Sequence, residues 1–169
     1  MLREGGLSEF PAVEFVLRSL PKYYIEDAIP RIFEDLRTCQ LVLAEVDFET
    51  VGFMAWRDTD ATTTELLWMA VLPRFWSEGI GTRLTQYAIG KSYYSSRVFL
   101  RTASPDSVIE GTSFDGAAYV RTIQFFEHIG FVKKEVLRDY WGPGNHCLVM
   151  DYATGELEPR LRHSRLSAK

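Results

Sequence analysis

The stretch Glu65-Leu66-Leu67-Trp68-Met69-Ala70-Val71-Leu72-Pro73-Arg74-Phe75-Trp76-Ser77-Glu78-Gly79-Ile80-Gly81-Thr82-Arg83-Leu84 decides how the rest of the chain is read. Its first part, Glu65 to Leu72, is mostly apolar and stops at Pro73, the pattern of a short central strand buried on both faces. Gly79 and Gly81 then open a helix with Leu84, Ala88 and Ile89 on one face. A strand that runs through a short loop into a glycine-rich helix start can bind anions. First-turn N–H groups lack intrahelical partners, they sit at the positive end of the helix dipole, and glycine lets a diphosphate approach the backbone. Thr82 adds a hydroxyl. Two other phosphate motifs fit poorly. A dinucleotide fingerprint wants Gly or Ala where Leu84 stands, and a Walker loop wants Gly-Lys-Ser/Thr, which is absent.

Upstream, Phe10, Val13, Val16, Leu17 and Leu20 recur at helical spacing over Ser8 to Leu20, with Pro11 tolerated in the first turn. Pro21 ends that helix. A second helical pattern carries Ile25, Ala28, Ile32, Phe33 and Leu36, restarts at Pro30 and is expected to pack beside the first. Leu41 to Phe48 and Val51 to Arg57 read as a β-hairpin turning at Glu49 and Thr50.

Downstream, Val98 to Thr102 is a strand, and Ser104 to Gly116 is a Ser, Pro, Asp and Gly loop, longer than usual connections and suited to a lid. Ala117 to His128 is a helix capped by Gly130, followed by strands Phe131 to Arg138 and His146 to Tyr152. The order predicts an α/β fold: a mixed, mostly antiparallel sheet of six to seven strands flanked by helices, in one domain over residues 1–152. Residues 153–169 lose apolar periodicity, carry Arg160, Arg162, Arg165 and Lys169, and read as a mobile or partner-docked tail.

A net charge of -4 argues against nucleic acid as the main partner, since phosphate backbones select clustered basic surface. The apolar runs are strand-sized, far below the roughly 20 residues of a membrane span. No charged and then apolar leader follows Met1, so a cytoplasmic location is expected. Cys39 and Cys147 have no metal-ligand spacing, so no metal is expected. Cys147 reads as a core residue, because on a strand its side chain and that of His146 point to opposite faces.

Val71-x-Pro73 followed by Gly79-x-Gly81 and a helix resembles the CoA-pyrophosphate motif of the GNAT superfamily of N-acyltransferases. Phe125-Phe126-Glu127-His128-Ile129-Gly130-Phe131 resembles the family's Leu-Tyr-x-x-x-Gly-Phe segment, and Asp139 to Gly144 followed by an apolar strand resembles its ending. The likeness covers roughly residues 7–152. It implies acetyl-CoA as co-substrate, no metal, and two parallel strands, Glu65 to Leu72 and Val98 to Thr102, that splay apart to admit the pantetheine arm as an added strand. By the same resemblance the Met69 N–H polarises the thioester carbonyl, and Val71, Leu72, Trp76, Ser77, Glu78, Gly79, Ile80, Gly81, Thr82 and Phe126, with Met69, contact the cofactor.

The resemblance implies transfer of an acetyl group to a primary amine, of a small molecule or a peptide, by direct attack in a ternary complex. Glu65 stands where some members carry a catalytic glutamate and is the candidate base, with Glu45 and Asp106 as weaker alternatives. Four letters depart from the pattern: Trp76 replaces the usual Arg or Gln, Ser77 often a Gly, Phe126 the tyrosine that protonates the leaving thiolate, and Tyr119 an asparagine. Tyr140 and Tyr119 are the replacement candidates for the acid, and Tyr23, Tyr24, Tyr140 and Trp141 for an aromatic acceptor pocket. Two alternatives stay open: a catalytically weak acyl-CoA-binding regulatory module, motivated by Phe126 and Trp76, and a protein binding another phosphate ligand. The acidic balance suits a cationic acceptor. Oligomeric state is left open, a homodimer included.

Overall fold

The computed structural model describes residues 1–153; the predicted tail, apart from Ala153, lies outside the described residues. Seven strands form one sheet, β1 (Leu2–Glu4), β2 (Gln40–Val46), β3 (Glu49–Asp60), β4 (Thr63–Val71), β5 (Arg97–Ala103), β6 (Phe131–Leu137) and β7 (Cys147–Tyr152), in the order β1-β2-β3-β4-β5-β7-β6. Every pairing is antiparallel except β4 with β5. The helices are α1 (Phe10–Arg18), α2 (Ile29–Leu36), α3 (Ile80–Lys91) and α4 (Tyr119–Ile129).

Both proline-initiated helices form as the letters predict. Pro11 and Pro30 occupy the first turns of α1 and α2, where the missing N–H has no intrahelical acceptor to lose. The two pack side by side through Phe10 and Phe33, whose ring centroids are 5.0 Å apart. Val13, Val16 and Leu17 of α1 and Ile32 and Leu36 of α2 enter the same core as Val42 of β2 and Met54 of β3. The helix α4 ends at Gly130, left-handed at φ 116, as its C-terminal cap requires.

Two features depart from the sequence reading. The hairpin turns at Asp47 and Phe48, both at positive φ (49° and 66°), and not at Glu49 and Thr50. Positive φ at both central residues suits the twist of the flanking strands, but here neither residue is glycine or asparagine, so the usual signal is missing. The chain also begins with a strand: Leu2↔Ala44 and Glu4↔Val42 place β1 on the edge beside β2. Three residues are too few for alternation to show. Gly52 lets β3 and β4 come close, since a Cβ there would stand 2.8 Å from the Ala70 carbonyl oxygen.

The centre of the sheet is open. Pairing between β4 and β5 runs from Thr63↔Arg97 to Leu66↔Leu100 and stops, although both strands continue, to Val71 and Ala103. The cause lies partly on β3. Ala55 pairs with Trp68 but Trp56 with Leu66, which leaves Leu67 as an extra residue, a bulge that bends β4 where it leaves β5.

Candidate active site in the splayed sheet

The register of β3 and β4 determines which backbone groups face the opening. Leu72 donates its N–H to the Val51 carbonyl (2.8 Å), making that a hydrogen-bonded pair. In an antiparallel ladder such pairs alternate with non-bonded ones, so at Gly52↔Val71 and Met54↔Met69 the N–H and C=O of Val71 and Met69 turn away from β3. They turn toward the gap that β5 has vacated. Side chains confirm the direction: the Tyr24 hydroxyl donates to the Met69 carbonyl (2.5 Å) and the Trp76 Nε1–H to the Val71 carbonyl (2.7 Å). Burial pushes the Tyr24 phenol above its ordinary pKa, which keeps it protonated and donating. Both carbonyls on this edge thus have protein partners.

One end of the gap meets the start of α3. Ser77 (φ 68°) and Gly79 (φ 75°) turn the chain so that Gly79 is the N-cap, without a side-chain capping bond. The first-turn N–H groups therefore face outward. A Cβ on Gly79 would meet nothing within 4 Å, and one on Gly81 would lie 3.1 Å from the Phe125 ring of α4. Glycine at 81 thus lets the Phe125 ring of α4 pack closely against the first turn of α3. Phe126 is buried against Phe125 and Phe131 (centroids 5.0 and 5.4 Å) while still lining the gap. Trp76 stands edge-on to Tyr23, with the Arg121 guanidinium 5.4 Å from its ring centroid.

The face toward α2 holds a row of charges. The bulge at Leu67 keeps Glu65 and Trp68 on one side of β4. Trp68 donates its indole N–H to Asp35 (3.1 Å), while Met69 points the other way, its sulfur 3.5 Å from the Thr85 hydroxyl of α3. Arg57 lies 3.6 Å from both Asp35 and Glu65, and Arg101 of β5 binds Glu65 at 2.5 Å. The Glu65 side chain is 5% exposed, and its Oε2 has no hydrogen-bond partner. Tyr140 and Trp141, from the β6–β7 loop, close this side, and the Arg101 guanidinium lies 5.7 Å from the Tyr140 ring centroid.

These surfaces bound one continuous cleft of about 1120 Å³, at the upper end of or beyond the roughly 300–1,000 Å³ usual for a single small ligand. Glu65, Met69, Val71, Trp76, Ser77, Gly79, Ile80, Gly81, Thr82, Phe126 and Tyr140 all line it. Leu72 and Glu78 do not: Leu72 is buried in the core and Glu78 is exposed on the outer side of the loop. Glu45 and Asp106 also lie away from the cleft, paired with Arg3 and with Arg138 and Ser104.

Tyr119 lines the cleft too, but its buried hydroxyl donates to the Tyr23 carbonyl (2.8 Å) and burial raises its pKa well above the ordinary phenol value. The loop after β5, expected as a lid, is pinned by Val108 N–H to the Gly144 carbonyl (2.9 Å) and Asp115 N–H to the Lys22 carbonyl (3.1 Å). Cys147 is fully buried, and burial pushes its thiol up to about 11. Sequence reasoning did not single out Asp35, Arg57 or Arg101. Each is an ordinary charged letter until the strand register brings them together.

The family model described as an acetyltransferase (GNAT) domain matches residues 37–133, more than half of the chain. The chain belongs to the GNAT acetyltransferase family. Solved GNAT structures share its fold. A GNAT-family protein from Desulfovibrio desulfuricans is 21% identical with TM-score 0.71, over 89% of this chain and 96% of that one. A GNAT acetyltransferase from Elizabethkingia anophelis with acetyl-CoA bound is 17% identical with TM-score 0.69 (89% and 95%). An aminoglycoside 6'-N-acetyltransferase complexed with coenzyme A is 19% identical with TM-score 0.67 (89% and 95%). At these identities the likeness is one of fold. No curated protein sequence matches the chain significantly. Within this GNAT fold, and among the described residues, no three His, Cys, Asp or Glu side chains group to hold a metal ion, and no helix is long and apolar enough to cross a membrane.

Proposed function

We propose that this GNAT protein transfers the acetyl group of acetyl-CoA to a primary amine by direct attack in a ternary complex. The observation that carries the reading is the gap between β4 and β5, where the backbone of Met69 and Val71 faces an opening continuous with the uncapped start of α3. A pantetheine arm fits that edge as an added strand, and a diphosphate fits the N–H groups from Gly79 to Thr82. Acetyl-CoA supplies an acyl carbon already activated as a thioester; the rest of the chemistry falls to residues of this chain.

The Met69 N–H donates to the thioester carbonyl oxygen, where negative charge grows as the amine attacks. Glu65 faces the amine from the α2 side. Its Oε2, buried and without a hydrogen-bond partner, accepts the amine proton directly or through one water. Tyr140, at the same wall, donates to the departing sulfur in place of the tyrosine that Phe126 replaces. Phe126 and Trp76 give the arm apolar sides. The two sides of the sheet divide the labour, with cofactor between α3 and α4 and acceptor beneath α2.

Titration with acetyl-CoA tests the cofactor half. A ligand at 100 times its Kd stabilises the fold by about 2.7 kcal/mol, which reads as a rise in Tm. Gly81→Val pushes the Phe125 ring away from the first turn of α3 and into the cleft, and is expected to weaken binding by about tenfold or more while the ligand-free protein still melts cooperatively. A Tm that rises with ATP or NAD and not with acetyl-CoA would point to a different phosphate ligand. Tight binding without product would point to a regulatory module.

A further inference from the structure

The charged groups on the acceptor side are balanced in sign and unbalanced in hydrogen bonding. Three carboxylates (Asp27, Asp35, Glu65) and three guanidiniums (Arg31, Arg57, Arg101) line this half of the cleft, so it offers no surplus of negative charge to a polycation. Donors are left over. Among the described residues the Arg57 guanidinium makes no hydrogen bond, its nearest carboxylate oxygens standing 3.6 Å away on Asp35 and Glu65. Arg101 spends one N–H on Glu65, and its Nε is buried without a partner. A buried polar group that stays unpaired costs free energy, and a guanidinium presents a fork that matches a carboxylate with two parallel bonds.

Acceptor capacity is left over as well. Glu65 is buried, and its Oε2 has no hydrogen-bond partner; nor has the Oδ1 of Asn145, in the loop that carries Tyr140 and Trp141. Unpaired donor and acceptor groups therefore stand within a few atoms of each other, because Glu65 lies between Arg57 and Arg101.

From this geometry we infer that the acceptor is an amine that also carries a carboxylate close to its nitrogen, as an α-amino acid does. The inference rests on the acetyl-transfer reading of the site. The amine lies at Glu65 Oε2 and the carboxylate bridges the free N–H groups of Arg57 and Arg101. Tyr140 and Trp141, edge-on at 5.3 Å, form a wall that takes the remainder of the molecule. Arg57 and Arg101 are then specificity-determining residues. The preference is for a zwitterion, and the cationic acceptor suggested by overall charge is disfavoured. In the transfer, the ammonium first gives one proton to Glu65 and thence to water, the free amine nitrogen bonds to the acyl carbon, the C–S bond breaks, and the second amine proton is balanced by the proton that the sulfur takes, through Tyr140 or water, as it leaves as CoA thiol. Atoms and charge balance without an oxidant or a metal.

The experiment is steady-state release of CoA thiol by the full chain with acetyl-CoA and three matched acceptor sets: free α-amino acids, their primary amides, and polyamines with an aminoglycoside. The expected result is a kcat/KM about ten- to a hundredfold higher for the free acids than for their amides, the span that one charged hydrogen-bonding group contributes. Arg57→Gln should bring that ratio close to one and leave the KM for acetyl-CoA unchanged, with a melting curve confirming the fold. Should the variant not fold, the acid-to-amide ratio of the unaltered protein decides alone. Equal or better turnover of amides or polyamines overturns the inference and leaves acetyl transfer standing. No thiol release from any set overturns the acetyl-transfer reading itself.

Discussion

Glu65→Gln is expected to lower kcat by about 10²–10⁴-fold, the usual worth of a positioned general base, while acetyl-CoA affinity stays the same. Glutamine has nearly the shape of glutamate, and its side-chain oxygen still accepts from Arg101, so the packing against Arg57 and Arg101 is kept. What disappears is the ability of Oε2 to take a proton. Arg57 keeps Asp35 at 3.6 Å, and Arg101, left without a counter-charge, is about one-third exposed and can be solvated. Activity of the variant should return as pH rises and the free amine forms unaided. An unchanged kcat with a lowered Tm would make Glu65 only the centre of an ion-pair row.

Arg101→Met should cost about 3 kcal/mol of folding stability, measured by urea unfolding. Methionine can still pack over Phe99, whose ring lies 5.0 Å from the guanidinium, so the loss is mainly electrostatic. It strands the Glu65 carboxylate, 5% exposed, with Arg57 at 3.6 Å as its remaining cation, and a stranded buried charge typically costs about 3–5 kcal/mol. The lower end is expected because Arg57 remains and because Arg101 itself is not fully buried. The double variant with Glu65→Gln should regain most of the loss, since no buried charge then lacks a partner. Additive losses would mean that the two side chains do not act as a pair.

The strand, turn and helix start of the candidate site were legible in the letters because they depend on backbone. A strand that ends at Pro73, then glycines at 79 and 81, specify a turn and a helix start whatever the side chains between them. Trp76 and Ser77 could therefore depart from the family pattern without hiding the motif. The row of charges on the α2 side was not legible. Asp35 comes from α2, Arg57 from β3 and Arg101 from β5, and only the register Arg57↔Glu65, with the end of β4–β5 pairing at Leu66, gathers them.

Tyr24 was visible only as one of several aromatics. Its hydrogen bond to Met69 depends on how the α1–α2 connection folds over the gap. The short strand β1 and the glycine-free turn at Asp47 and Phe48 were missed for a related reason, since three residues show no period and an aspartate-phenylalanine turn carries no common signal. Elements written in local periodicity were readable, and elements fixed by pairing between distant strands were not.

The most direct measurement for the central claim is mass spectrometry of the acceptor after incubation of the full chain with acetyl-CoA and an amine panel that includes free α-amino acids. Acetyl transfer through the splayed sheet predicts an acceptor heavier by one acetyl group, formed in step with free CoA thiol and strongly reduced in Glu65→Gln. Acetyl-CoA bound tightly across the whole panel, with neither thiol nor acetylated amine released, would contradict it.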